Sequence, residues 1–336
     1  MKTNLLMHYG LRSAALALLL AGGAALADET TGFTFADVPG QHLDVLLNGK
    51  IVARYMDACD CSTPAKRLDN YKPYLHIFDA AGAAPITKGP GGNFTHHRGI
   101  FIGWMKISCD GKSYDRWHMK GGEQIHRAFS AQAADATHAT FTSKVEWTAE
   151  PGKTLIEEER TMAFLPAAAP ARLIVDFTSK LKAVGGDLVL DGDPEHAGCQ
   201  YRPAGEVDGK QTLYCFPKEN PDPKKDRDYP WVGETYTLAG QQHSVVIMSH
   251  PENPKDTRWS AYRDYGRFGA FPKAPIKAGE TLTLRYRFVI ATGAMLPAET
   301  IQKMCNAYSG ADAATPPVTV RKADQPGPAK PKPAKK

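Results

Sequence analysis

Two short stretches hold the side chains best suited to acid–base chemistry. Asn93-Phe94-Thr95-His96-His97-Arg98-Gly99 sets two imidazoles and a guanidinium between a glycine-rich run, Gly89 to Gly92, and the apolar Ile100-Phe101-Ile102-Gly103-Trp104. Glu195-His196-Ala197-Gly198-Cys199-Gln200-Tyr201-Arg202 carries a second set. Imidazole changes charge near neutral pH and can move a proton in either direction, while the planar guanidinium grips anionic or hydroxyl-rich groups. The chemistry expected is therefore His97 and His196 as acid and base, Glu195 and Glu123 as reserve carboxylates, and Arg98 and Arg202 as clamps. Side chains alternate along extended backbone. His96 and Arg98 should then face one way and His97 the other. His196, Gly198, Gln200 and Arg202 should share a wall, with Gly198 leaving room for a ligand. Such a wall is costly to bury dry and suits a wet cleft.

Around these lie Asp115-Arg116-Trp117-His118, Gly122-Glu123-Gln124-Ile125-His126, Arg258-Trp259 and Arg263-Asp264-Tyr265. Rings that stack on a pyranose face, beside donors and acceptors for its edge, suit a sugar. The expected binding set is His96, Arg98, Trp117, His118, Glu123, His126, Gln200, Arg202, Arg263 and Asp264. Each taken alone also fits ordinary packing or surface. Phosphate loop, dinucleotide fingerprint, Gly-x-Ser-x-Gly elbow and His-Glu-x-x-His are all missing, which argues against nucleotide use. His76, His96, His97, His118, His126 and His196 are enough for a three-histidine metal site, yet no recognisable ligand spacing joins them. No metal and no cofactor are expected.

Short strands must position these groups. Asn48-Gly49 divides His42–Leu47 from Ile51–Met56, Asp110-Gly111 divides 99–109 from 112–118, and Ala239-Gly240 divides 234–238 from 243–249. Asn-Gly and Asp-Gly supply the positive φ values of a tight hairpin. Further strand-like runs cover 154–164, 172–181, 187–190, 196–202 and 281–290. In the last, Leu282, Leu284, Tyr286 and Phe288 alternate with polar residues. The one good helix candidate runs from Pro297 to Ala307, before Gly310. Many short strands with few short helices predict an all-β fold, a large antiparallel β-sandwich in a single domain over 28–314.

The ends differ from this body. Lys2 and Arg12 precede an uncharged run from Ser13 to Ala27 ending in Ala25-Leu26-Ala27, the pattern of an export signal cleaved after Ala27. No later stretch reaches membrane-spanning length. The expected location is the periplasm or the exterior. Of the net charge of +5, residues 1–27 carry +2 and residues 315–336 carry +5, leaving 28–314 at −2. A near-neutral body argues against a nucleic-acid groove. Residues 315–336, rich in Lys and Pro, are expected to form a disordered tail. The six cysteines (Cys59, Cys61, Cys109, Cys199, Cys215, Cys305) point to a structural disulfide or buried thiols ahead of metal.

Pro73-Tyr74-Leu75-His76, Thr95-His96-His97-Arg98-Gly99-Ile100, Asp115-Arg116-Trp117-His118, Gln124-Ile125-His126-Arg127, Pro194-Glu195-His196-Ala197-Gly198 and 261–269 together carry a family resemblance. Through them the chain resembles the bacterial PmoA-like family, also called "methane oxygenase PmoA". The resemblance covers roughly Phe33 to Ala307. A particulate methane oxygenase subunit is an integral membrane protein, and the mature chain has no membrane span. What the resemblance implies is an exported β-sandwich, similar to the galactose-mutarotase supersandwich by fold analogy. Its implied partner is a carbohydrate or glycoside. Two expectations follow: an epimerase, lyase or hydrolase using histidine acid–base chemistry, or a non-catalytic carbohydrate-binding module with the same cleft. They differ in whether a histidine and a second titratable group meet within hydrogen-bond reach.

Overall fold

The computed structural model describes residues 31–150, 152–193 and 195–324. The expected export signal over residues 1–27 and the segment from residue 325 onward lie outside the described residues. The three turn dipeptides form the hairpins expected of them. Asn48 and Gly49 have φ of 51° and 75°, Asp110 and Gly111 49° and 73°, and Ala239 and Gly240 49° and 78°. Left-handed values at both central residues match the right-handed twist of the strands they join.

These hairpins build three antiparallel sheets. The first has eight strands, in the order Phe33–Val38, His42–Leu47, Lys50–Met56, Tyr74–Ile77, Ile100–Trp104, Ala197–Tyr201, Phe268–Phe271 and Arg258–Ser260. The second has nine: Thr319–Lys322, Leu213–Phe216, Trp231–Leu238, Gln241–Ser249, Thr281–Thr292, Ala171–Ala183, Lys153–Pro166, Ala139–Glu150 and Gln124–Ala134. A small third sheet joins Ala274–Ile276, Leu188–Asp191, Lys106–Cys109 and Lys112–Tyr114. The two large sheets pack face to face. Leu43, Val45, Tyr55, Ile100, Ile102 and Cys199 of one bury against Phe141, Val145, Ile156, Val175, Ile247 and Phe288 of the other. Tyr55 Oη donates to Ser143 Oγ (3.0 Å) across the gap, and the Tyr201 and Tyr236 hydroxyls share a 2.7 Å bond. The all-β antiparallel sandwich follows directly. Ala298–Ser309 is the main helix, closed by Gly310 at φ 69°, and it covers the outer face of the nine-stranded sheet through Ile301 and Cys305.

Several elements differ from the sequence reading. The run 99–109 breaks at Met105, and its halves join different sheets. Thr319–Lys322 pairs with Leu213–Phe216, so order extends past Ala314 and into the segment expected to be disordered. The backbone of a strand needs only an open edge, and this one brings no core side chains that composition could reveal. Strands Gln124–Ala134 and Ala139–Glu150 had no clear signal because small residues, Ala139 and Ser143, occupy inward positions and Gln124–Ala134 is an exposed edge. All six cysteines are free thiols, four of them buried.

The outer face of the eight-stranded sheet positions the site. On Ile100–Trp104 the alternate residues Ile100, Ile102 and Trp104 enter the sandwich core, while Phe101 points outward to a cluster with Tyr74 and Trp117. At Gly103 a Cβ atom would stand 2.2 Å from the Arg116 carbonyl oxygen. Glycine there lets the loop 115–118 lie flat on the strand, which fixes Trp117 and His118 over the sheet.

Candidate functional site

Four histidines from three separate segments meet on that outer face. Ring centroids are 4.3 Å apart for His96–His97, 4.5 Å for His96–His118 and 4.9 Å for His118–His196. Trp117, fully buried, packs edge-on against both His97 (5.7 Å) and His196 (6.1 Å) and forms the floor.

Two of the rings are held by carboxylates in the same local manner. Asp115 accepts from the backbone N–H groups of Trp117 (3.0 Å) and His118 (2.8 Å), and its second oxygen meets His118 Nδ1 at 2.8 Å. Asp193 accepts from the Glu195 N–H (2.9 Å) and meets His196 Nδ1 at 2.6 Å. Burial alone would raise the Asp115 carboxyl, but the bonds from His118 and from backbone outweigh it and hold it below its ordinary value. Asp193 is likewise held low against partial burial by the Glu195 N–H and the His196 ring. An ionised carboxylate only accepts, so each partner ring in its neutral form carries its proton on Nδ1 and has Nε2 as its acceptor nitrogen.

His96 and His97 differ. Both are pushed below the ordinary imidazole range, by burial first; for His96 Lys72 adds most to this, and for His97 Arg267 does. Both are therefore neutral. His97 has neither ring nitrogen hydrogen-bonded, and His96 Nε2 is unbonded too.

The cleft above this cluster has a volume of about 980 Å³, large enough for a sugar-sized ligand. Phe94, His97, His196, Arg202, Arg263 and Tyr265 are among its lining residues, with the 89–93 loop along one side. Phe94 is 47% exposed and lies 5.3 Å from the His97 ring and 5.2 Å from Tyr265, at shallow angles. An exposed phenyl ring beside a phenol ring gives an apolar stacking surface next to polar groups.

The sequence reading placed most of these residues near one another and misjudged several. His96, His97 and Arg98 lie in a turn and loop before the strand, so strict alternation does not apply. Arg98 is not a clamp. Its guanidinium is buried over the Tyr71 ring and donates to the carbonyls of Thr95, Asp69 and Leu68. Gly198 leaves no room for a ligand, because a Cβ there would stand 2.0 Å from the Ala270 oxygen of the adjoining strand. Gln200 is buried and accepts from Arg267 Nη1 at 2.9 Å, so it positions that guanidinium from behind. Glu195 reaches the cleft but is ion-paired with Arg263 and accepts from Tyr262 Oη at 3.2 Å, which leaves it poorly placed as a base. Glu123 and His126 sit elsewhere. Glu123 pairs with Arg67 (2.7 Å), and His126 Nδ1 bonds Ser143 Oγ (2.7 Å) beside Tyr55. Asp264 and Arg202 do line the cleft.

The reading missed Asp193, Phe94, Lys72 and Arg267 as site residues and had no role for Asp115. An aspartate three residues before a histidine was the available signal. Asp135 and His138 show why it is insufficient, since they make the same contact (2.9 Å) on an exposed turn. Among the described residues, no group of three or more His, Cys, Asp or Glu side chains is arranged to hold a metal ion. No helix among them is long and apolar enough to cross a membrane.

Fold and site together define an antiparallel β-sandwich protein with a histidine-floored cleft on the outer face of one sheet. The chain belongs to the family of unknown function DUF6807, whose sequence profile matches residues 42–306. No curated protein sequence matches it. Among solved structures, a heparan sulfate lyase, HepC, from Pedobacter heparinus aligns with 80% of this chain at 11% identity and a TM-score of 0.39. A galactose mutarotase-like protein from Lactobacillus casei aligns with 78% at 10% identity and 0.35, and a GalM/aldose epimerase homologue from C. elegans with 79% at 7% identity and 0.33. The alignment takes in 36% of the lyase and 100% of the other two. The sandwich is defined by its own sheets and register, and likenesses this distant add no argument about function.

Proposed function

We propose that this is an exported carbohydrate-active enzyme that moves a proton on a sugar or glycoside by histidine acid–base chemistry. The resemblance to the PmoA-like exported proteins belongs to the same proposal. The observation that carries it is the Asp193–His196 pair (2.6 Å) opening onto a cleft with an aromatic wall. A carboxylate that fixes the imidazole tautomer and steadies its protonated form is the arrangement a general base requires. A binding module would use the aromatic wall and an imidazole as a hydrogen-bond partner, but has no need of a carboxylate that steadies the protonated ring.

In this mechanism the sugar stacks on Phe94 and Tyr265 and its hydroxyls reach Arg202 and Arg263. His196 Nε2 takes the proton, Asp193 stabilises the imidazolium that results, and His118 with Asp115 stands one ring away as the second acid–base group. Neutral His97 meets the substrate as a hydrogen-bond donor or acceptor. The test is turnover of a panel of oxidised and unoxidised glycosides in D₂O by the purified mature protein, followed by NMR and mass spectrometry. Deuterium incorporation at a sugar carbon, or a cleaved product, supports the reading. Saturable binding with no exchange and no product from any glycoside in the panel would leave the binding module as the correct description.

A further inference from the structure

Buried cations in this protein fall into two kinds. Among the described residues, seven Lys and Arg side chains are buried: Lys72, Lys88, Arg98, Arg116, Arg160, Arg202 and Arg267. Arg160 makes an ion pair with Glu158, and no other member of this set lies within 4.0 Å of a carboxylate. Arg98 and Arg116 donate to carbonyl oxygens of nearby loops, with Arg116 Nε unbonded, and stand away from the cleft, while Lys88 lines the cleft rim with its ammonium on the Gly89 and Gly91 carbonyls. Arg202, Arg267 and Lys72 surround His97.

Arg202 is 3% exposed, lines the cleft, lies 4.9 Å over the Tyr265 ring and donates to the Pro203 and Tyr265 carbonyls, with Nε unbonded. Arg267 is fully buried behind it, with Nη1 on Gln200 and both Nε and Nη2 unbonded. Lys72 is 1% exposed, with the Trp117 carbonyl at 3.3 Å and the Phe101 ring 4.2 Å from its nitrogen, and burial pushes its ammonium well below the ordinary value, so it adds less charge here than the two guanidiniums.

The carboxylates nearby do not balance them. Asp115 and Asp193 are committed to imidazoles, and Glu195 to Arg263. Glu234 faces Arg202 but is wholly enclosed, burial pushes its carboxyl up, and neither of its oxygens bonds Arg202 or Arg267. Glu206 and Asp264 sit at the mouth and make no ion pair with these cations. An unpaired buried charge is expensive, and a folded protein keeps one where a ligand supplies the missing partner.

We propose that the cleft selects a carbohydrate carrying an anionic group, a carboxylate or a sulfate, seated against Arg202 with Arg267 behind it and His97 alongside. The inference rests on the carbohydrate reading above and adds the charge of the substrate to it. A guanidinium fork with free donors matches the oxygens of either anion. His97, with both ring nitrogens free and no charge of its own, completes the seat without repelling or neutralising the anion.

Calorimetric titration of the full mature chain tests this, with D-glucuronate, D-galacturonate, glucose 6-sulfate and galactose 6-sulfate set against methyl glucoside, methyl galactoside and inorganic sulfate. At least one charged sugar should bind about tenfold or more tightly than its neutral counterpart, with an affinity that falls as salt rises. Preference for the uronates identifies the carboxylate as the anion, and preference for the sulfated sugars identifies the sulfate. Arg202→Gln should bring the charged-to-neutral affinity ratio down to about one. If that variant does not fold, the ratio and salt dependence of the wild-type protein decide the matter alone. Equal or tighter binding of the neutral sugars overturns the anionic seat and leaves the carbohydrate reading in place. Binding of inorganic sulfate with no sugar bound keeps the anion seat and overturns the carbohydrate reading. Silence from every probe overturns both.

Discussion

Two buried charged regions of this molecule solve the same problem differently. Between the sheets, Glu158 and Arg160 are fully enclosed on the inward face of the Lys153–Pro166 strand and face each other in a two-point ion pair of 2.9 and 2.7 Å. Glu158 also accepts from Trp147 Nε1 (2.8 Å) and Ser179 Oγ (2.7 Å), while Arg160 reaches Gln124 and the Pro73 carbonyl. On the outer face of the eight-stranded sheet, Arg202, Arg267 and Lys72 are as deeply buried and have no anion. The first region is saturated and serves to join strands. The second leaves Arg267 Nη2, Arg202 Nε and the His97 ring nitrogens open. Unsatisfied cationic and imidazole groups beside a cleft, set against a saturated network of the same charged types, mark where the fold gives up stability for binding.

The largest expected effect is on rate. His196→Gln should lower turnover roughly 10²–10⁴-fold, the usual contribution of a positioned acid or base, while changing stability by only about 1 kcal/mol. His97→Gln should weaken ligand binding with a similarly small effect on unfolding. Variants that melt much earlier yet keep ligand affinity and turnover would return these histidines to a structural role and erase the contrast.

Next in size is the saturated region. Glu158→Gln leaves Arg160 buried without its partner and should cost about 3–5 kcal/mol in urea unfolding. Arg267→Met removes a cation that has no anionic partner and leaves only the Gln200 amide oxygen unpaired, so the ligand-free protein should lose no more than about 1–3 kcal/mol. A large loss from Arg267→Met would mean that the outer cations are also part of a structural network.

Acid should act on the open region. His97 and His96 there, and the hydrogen-bonded His76 outside the cleft, are neutral in the folded chain because burial, and then neighbouring cations, hold them below the ordinary 6.5, His76 down to about 4. The unfolded chain takes up protons below pH 6.5, so stability from these groups is complete above that pH. It is lost as pH falls toward 4, by up to about 1.4 kcal/mol per pH unit for each histidine. Urea unfolding at pH 7 and pH 5 measures the slope, and His97→Gln should make it shallower. An unchanged slope in the variant would place His97 in contact with solvent.

Phe94→Ala is the smallest change. A ring 47% exposed contributes little to the core, and losing one stacking surface should weaken binding of the preferred probe sugar by about 0.5–1.5 kcal/mol. Unaltered affinity would move the stacking wall to Tyr265 alone.

Much of this was legible in the residues. Turn dipeptides with positive φ fixed the hairpins at Asn48-Gly49, Asp110-Gly111 and Ala239-Gly240, because that geometry is a local property of the residues themselves. The alternation in Thr281–Thr292 announced a half-buried strand, and Pro297 with Gly310 bounded the helix. His97 and His196 were singled out by type and setting, and both line the cleft. Asp115–His118 and Asp193–His196 are local too, four-residue turns that would form in most contexts, as the exposed Asp135–His138 turn shows. What only the tertiary structure decided is which of them matter. Packing brought segments near residues 96, 118 and 196 onto one sheet face, sent Glu123 and His126 elsewhere, and sealed Arg98 against Tyr71. It also gave Gly198 to a neighbouring strand and left Arg202 and Arg267 without anions. Proximity across 20 to 100 residues of chain, and the presence or absence of a countercharge, are properties of how sheets stack. Residue types along the chain do not encode them one by one.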